Sequence, residues 1–136
     1  MPSTKFAGLT LDAGALIAYE RGSPYVRALL QKSERDGLPI AIPAGALAQA
    51  WRNGRQQARL ARFLRVGVNG HDGAPTVEPL HYVTARRAGE LCAAAGTSDV
   101  VDASVVLVAR KHRHAIVTTD PGDLAKLDPT LRLIVI

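Results

Sequence analysis

The chain has 136 residues and a formal net charge of +5, from 17 Lys and Arg against 12 Asp and Glu. This length fits one domain, and the hydrophobic fraction of 47% excludes a chain that is disordered throughout. The single cysteine, Cys92, excludes an internal disulfide framework and a cysteine-rich zinc module.

Two sequence features bear on location. Residues 1–6 lack the basic segment and apolar stretch of a secretion signal. No apolar run approaches the roughly 18 residues that cross a bilayer. We therefore expect a cytoplasmic protein without a membrane-spanning segment, whose basic charge favours a polyanionic partner.

The N-terminal half alternates short apolar segments with helical ones. A buried strand is predicted at residues 6–11, and a helix follows over 12–22, with Asp12 near its start and Gly22 as its stop. Pro24 can open the next helix at its first position. The remaining elements of this half are a helix at 24–37, a strand at 38–42, and helices at 44–52 and 55–66.

The C-terminal half continues the alternation after a loop predicted at residues 67–75. The segment 77–80 is predicted as an edge strand, because Pro79 cannot donate to a central ladder. Ser98 is predicted to cap a long helix. The remaining elements are helices at 82–95, 99–112 and 121–127, and strands at 115–118 and 131–136. We expect one α/β domain over residues 1–136, with helices on both faces of a mainly parallel sheet of four or five strands.

Aspartates dominate the acidic residues, with eight Asp against four Glu. Asp12 ends the first strand and Asp120 follows the strand at 115–118, so both are expected at the carboxyl edge of the sheet, where ligands bind. Asp99 and Asp102 begin the preceding helix on one face, and Asp123 lies one turn beyond Asp120. Converging carboxylates repel one another unless a cation lies among them, and Mg²⁺ and Mn²⁺ prefer such oxygens. The pattern predicts a metal-dependent site for phosphodiester chemistry.

Simpler interpretations exist for each aspartate. Asp12, Asp99 and Asp102 are also suitable helix caps or first-turn residues, and Asp120 before Pro121 is suited to a turn. A protein phosphorylated on Asp12 is a third possibility, although the following Ala-Gly-Ala lacks the second acid of dehalogenase-type sites. Only the joint placement of the aspartates favours a metal site.

Three segments together resemble the PIN domain, and within it the VapC toxin branch of bacterial toxin–antitoxin pairs. They are residues 11–17 (LDAGALI), 99–103 (DVVDA) and 116–124 (IVTTDPGDL). The resemblance implies a three-layer α/β/α fold and a Mg²⁺- or Mn²⁺-dependent endoribonuclease. It also implies a homodimer that a VapB-like antitoxin silences.

The resemblance assigns roles to individual residues. Asp12, Asp102 and Asp120 match the acids that hold the metal and carry catalysis. Thr118 matches the hydroxyl residue that commonly precedes the last of these acids, and Asp123 matches a frequent auxiliary polar position.

One position departs from the family pattern. Gln49 stands where the family usually has Glu on the helix after the second strand. Gln offers a neutral oxygen, so the site has one negative charge fewer. Asp99 is a candidate for supplying that charge, whereas Glu20 lies roughly 12 Å along its helix from Asp12, too far for easy compensation. The departure leaves open a second function, a weak or inactive PIN fold that binds RNA or a protein partner.

Arginines recur at helical spacing after the second strand, which predicts one basic stripe on a helix. Such a stripe can track an RNA backbone, face solvent, or meet an acidic patch on an antitoxin or sister protomer. Its members are Arg52, Arg55, Arg59, Arg62 and Arg65. The four histidines lack metal-ligand spacing, so no histidine catalysis is expected. The aromatic residues Tyr19, Trp51 and Tyr82 are predicted in the core or at interfaces and not as base-stacking platforms, because an aromatic fraction of 4% gives little support to stacking recognition of single strands.

Overall fold

The computed structural model describes residues 6–70 and 73–136, which form one sheet with helices on both sides. The strands are β1 (Leu9–Leu11), β2 (Ile40–Pro43), β3 (Thr76–Glu78), β4 (Ala115–Thr118) and β5 (Leu133–Val135). The helices are α1 (Ala13–Glu20), α2 (Pro24–Arg35), α3 (Ala44–Ala50), α4 (Ala58–Val66), α5 (Tyr82–Ala95), α6 (Val100–His112) and α7 (Pro121–Leu127).

The five strands run parallel in the order β3-β2-β1-β4-β5. The central strand β1 pairs with β4, and Leu11 lies opposite Val117. Because these strands end at the same level, the residues that follow them share one edge. The predicted three-layer α/β/α fold is confirmed, and the sheet has five strands.

Two apolar clusters cover the two faces of the sheet. One cluster joins the sheet to α1, α2 and α4, where the rings of Tyr19 and Phe63 lie 5.0 Å apart. The other joins it to α5, α6 and α7. Strand β4 contributes side chains to both clusters, since Ala115 and Val117 belong to the first and Ile116 belongs to the second. This alternation is that of a strand buried on both faces.

The helix starts follow local capping chemistry. Asp12 accepts a hydrogen bond from the Ala15 N–H, and Ser23 caps α2 with Pro24 in its first turn. The cap of α6 differs from the prediction: Asp99 accepts from the Asp102 N–H, so Ser98 lies one residue before the cap. An ionised carboxylate caps well because it also complements the helix dipole.

The connection between α3 and α4 is longer than the sequence pattern predicts. The Gln57 side chain pairs with three backbone groups of this connection. It accepts hydrogen bonds from the N–H groups of Arg52 and Asn53 and donates one to the Ala50 carbonyl. Residues 51–57 therefore form a hydrogen-bonded loop. The predicted single-helix arginine stripe is wrong: Arg52 and Arg55 lie in this loop, and α4 carries only the later three arginines.

Other boundaries shift by a few residues. The strands predicted at 6–11, 77–80 and 131–136 are shorter in the structure, and β2 begins and ends later than predicted. Pro79 follows β3, which is the edge strand as predicted. The signal-peptide prediction falls mainly on residues 1–5, and His71 belongs to the predicted loop; both lie outside the described residues.

Within the described ranges, no single helix is long and apolar enough to cross a membrane. Helices α5 and α6 together meet the length and composition criteria, but they are bent by 112° at their junction.

Candidate active site at the carboxyl edge of the sheet

Asp12 lies where β1 passes into α1. Its carboxylate accepts from the Ala15 N–H at 2.9 Å, and its own N–H donates to the Val117 carbonyl at 3.3 Å. The residue is only 6% exposed. Burial raises the pKa of Asp12, the Thr118 hydroxyl bond opposes this, and the charge of Asp120 raises it further.

Asp120 lies at the exit of the neighbouring strand β4. Its N–H donates to the Thr118 hydroxyl oxygen at 2.9 Å. The same fully buried hydroxyl donates to the Asp12 carboxylate. Thr118 therefore connects the two strand exits and holds Asp12 and Asp120 in a common arrangement.

Asp99 and Asp102 approach the same edge from the first turn of α6. The Asp99 carboxylate accepts the Asp102 N–H at 2.9 Å. The pKa of Asp102 is raised to about 7, first by burial and then by the charge of the nearby Asp99 and a carboxyl–carboxyl hydrogen bond with it. The charges of Asp123 and Asp12 contribute the rest. A carboxyl with such a pKa lies in a crowded acidic environment.

Asp123 completes the group from the first turn of α7. A hydrogen bond with Asp120 raises the pKa of Asp123, and the charges of Asp120 and Asp99 add to it. The structure thus brings together all five aspartates that the sequence placed at strand exits and helix starts. The set comes from three separate stretches of chain.

The donor chemistry of this cluster fits a hard divalent cation, because carboxylate oxygens are its preferred ligands and the cation relieves their repulsion. In the side-chain positions of this structure, no three His, Cys, Asp or Glu groups among the described residues are arranged to hold one ion. Three-carboxylate ligation would therefore need these side chains in other positions. Asp12, Asp102 and Asp120 are the residues that the sequence predicts as ligands.

Gln49 lies apart from this cluster. Its exposed side chain lines a cavity of about 280 Å³ together with Glu20, Arg21 and Arg52, and none of the five aspartates lines this cavity. Glu20 is engaged elsewhere, since its carboxylate accepts the Leu60 N–H at 2.8 Å. Gln49 thus shares a cavity with the second half of α1, and no hydrogen bond among the described residues joins it to the five aspartates.

The arginines predicted to contact RNA or a partner are dispersed. Arg52 donates to the carbonyls of Ala48 and Trp51 at the end of α3. Arg59 donates to the Glu20 carbonyl at 3.0 Å and so joins α4 to α1. Arg55 and Arg62 are exposed.

Gly14 is a site-forming residue that the sequence reasoning did not single out. A Cβ atom at this position would collide with the Thr119 hydroxyl, the residue between Thr118 and Asp120. The close approach of α1 to the exit of β4 therefore favours glycine here, because a larger residue would displace the Thr119 side chain. The sequence signal was a glycine in the first turn after Asp12.

Two histidines lie at the opposite edge of the sheet. His114 is buried before β4 and its Nδ1 lies 3.0 Å from the Thr10 hydroxyl oxygen. His112 stacks on it, and its Nε2 lies 3.1 Å from Glu78. They anchor the base of the sheet, away from the aspartates.

A parallel sheet with an aspartate cluster at its carboxyl edge is an arrangement suited to metal-dependent phosphodiester chemistry. The family model of the PIN domain matches residues 9–128. The chain therefore belongs to the PIN domain family, whose members are generally nucleases that use divalent metal ions. No curated protein matches the chain at a significant level.

Proposed function

We propose that the protein is an endoribonuclease that depends on Mg²⁺ or Mn²⁺. The observation that carries this proposal is the five-aspartate cluster, in which the pKa of Asp102 reaches about 7 through burial and neighbouring carboxylates. Crowded carboxylates destabilise the fold through their mutual repulsion, so a purely structural role does not explain them. A bound cation replaces this repulsion with favourable interactions.

The residues at the cluster have separable tasks. Asp12, Asp102 and Asp120 would hold the ion, and one of these carboxylates would take the proton that the attacking water releases. A bound divalent ion activates water and stabilises the charge of a phosphoryl group in transfer. Thr118 orients Asp12 through its hydroxyl bond. Asp99 and Asp123 add negative charge around these ligands.

Removal of the metal tests this proposal. We expect cleavage of a 5′-labelled single-stranded RNA in Mn²⁺, loss of cleavage in EDTA and recovery when Mn²⁺ is restored, followed on a denaturing gel. The DNA oligonucleotide of the same sequence is the comparison substrate. Cleavage that persists in EDTA would contradict the metal-dependent mechanism, and cleavage of DNA alone would contradict the choice of RNA.

The neutral Gln49 favours a second function, a PIN fold that binds RNA without cutting it. The same experiment separates the two, since RNA bound in Mn²⁺ and recovered intact is the result expected of the binding module. Five aspartates carry the site's negative charge without Gln49, which lines a different cavity. Catalysis is therefore the preferred function.

We further propose a biological role as the toxin of a VapBC-type pair, acting in the cytoplasm as a homodimer that a VapB-like antitoxin silences. The motifs around Asp12, Asp102 and Asp120 support this role, and a net charge of +5 suits an acidic partner segment. Induced expression is expected to arrest bacterial growth, and Asp12→Asn to relieve the arrest at equal protein level. Equal arrest by both forms, or by neither, would contradict the toxin role.

A further inference from the structure

Trp51 is a large aromatic residue at the surface, at the start of the hydrogen-bonded loop 51–57. Its side chain is 36% exposed, and it is the only tryptophan of the chain. The ring packs against the backbone at Gly54, where an added Cβ would lie 3.0 Å from its Cζ2 atom. The hydrogen bonds of Gln57 fix the same loop. Of the aromatic residues predicted in the core or at interfaces, Tyr19 is buried in the core, whereas Trp51 and Tyr82 are exposed at the surface.

The cavity beside this loop is lined by two arginines and by Glu20, whose carboxylate is already engaged by the Leu60 N–H. The cavity of about 280 Å³ lies between the end of α1 and the end of α3, and Arg21 and Arg52 are among its lining residues. Arg52 uses only one of its terminal nitrogens, Nη1, to donate to the carbonyls of Ala48 and Trp51. These bonds hold its guanidinium at the end of α3, next to the backbone of Trp51, and its remaining N–H groups are available to a phosphate.

A second cavity links this region to the aspartates. It has a volume of about 610 Å³ and shares Ile17 and Arg21 with the first. Its other end includes Gly14 and Thr119, which adjoin Asp12 and Asp120. The surface thus follows α1, whose eight residues span about 12 Å. That is roughly three to four nucleotides of a stacked strand.

We propose that Trp51, Arg21 and Arg52 form a nucleotide subsite for single-stranded RNA. A base stacks on the Trp51 ring, and the flanking phosphates pair with the two arginines. This subsite rests on the proposed ribonuclease function, because it would bind one part of an RNA strand whose backbone continues to the aspartates. A duplex does not fit, since its bases are not available to stack on a side chain.

The single tryptophan allows a direct test with the full-length chain. In EDTA, with Asp102→Asn as a second background that removes cleavage, a 12-nucleotide single-stranded RNA is expected to quench Trp51 fluorescence saturably. Affinity for the labelled RNA, measured by anisotropy, is expected to fall about tenfold in Trp51→Leu and to recover in Trp51→Phe. The matched control is Tyr82→Leu, because Tyr82 is an aromatic 74% exposed on α5. Circular dichroism checks that each variant folds.

The outcomes separate the subsite from the proposed function. Quenching and the Trp51→Leu loss without any cleavage in Mn²⁺ would contradict the ribonuclease and retain the subsite. Cleavage with unchanged affinity in Trp51→Leu would overturn the subsite and retain the ribonuclease. Equal quenching by duplex RNA or heparin would also overturn it, and so would a fluorescence change on dilution of the protein alone, which indicates an interface between copies.

Discussion

Asp102→Asn is expected to stabilise the metal-free protein and, at the same time, to abolish its response to metal. Burial and the neighbouring Asp99 raise the pKa of Asp102 to about 7, so its ionised form is unfavourable in the fold. Asn keeps the shape and the backbone N–H that Asp99 accepts, while the charge is removed. Solvent screening limits the gain to about 1–2 kcal/mol in the free energy of unfolding.

The pH dependence of this gain has a definite sign. The folded-state pKa of about 7 exceeds the ordinary value of 3.8, so the unfolded state binds fewer protons between these values. Wild-type stability therefore falls as pH rises from about 4 to 7, and Asp102→Asn lacks this decline. Thermal unfolding in EDTA at pH 5 and pH 8 should show the larger gain at pH 8.

In the presence of metal, the wild type is expected to be more stable than Asp102→Asn, the reverse of the order without metal. At a Mn²⁺ concentration of 100 Kd the wild type gains about 2.7 kcal/mol, whereas Asp102→Asn is expected to gain little and to cleave RNA at least about a hundredfold more slowly. Asp36→Asn is the matched control, because Asp36 is an exposed acid paired with Lys32. A destabilised Asp102→Asn with normal metal response would contradict a ligand role.

The fold was predictable because its signals are local. Apolar strands of three to four residues alternate with helices. The first two helices show clear start signals, the cap Asp12 and the first residue Pro24, and each is followed within two residues by a glycine. The parallel order then brings Asp12 and Asp120 to one edge, since Leu11 and Val117 are paired. The proximity of the aspartates therefore followed from topology and from the spacing of Asp99, Asp102 and Asp123.

What the sequence could not supply depends on tertiary contacts. The loop at 51–57 arises because Gln57 satisfies three backbone groups, a choice that helix propensity does not reveal. The exposure of Trp51 depends on that loop. The position of Gln49 in one cavity with Glu20 depends on how α3 packs against α1.

Thr118→Val is expected to weaken metal binding about 10- to 100-fold while the fold is retained. Thr118 is fully buried and its hydroxyl accepts the Asp120 N–H at 2.9 Å. The same hydroxyl donates to Asp12, which opposes the burial that raises the pKa of Asp12. Valine has nearly the same shape but can neither donate nor accept a hydrogen bond. Asp12 and Asp120 therefore lose the side chain that both of them contact.

Calorimetric titration with Mn²⁺ measures this loss, and Thr118→Ser should restore most of the affinity because it returns the hydroxyl. Thr10→Val is the matched control: Thr10 is equally buried in the adjacent strand, but its hydroxyl lies 3.0 Å from His114 at the opposite edge. Each valine variant leaves a buried polar partner unpaired, at a cost of about 1–3 kcal/mol in stability. Only Thr118→Val should also lower the metal affinity, whereas equal metal affinity in the two would show that Thr118 acts through stability alone.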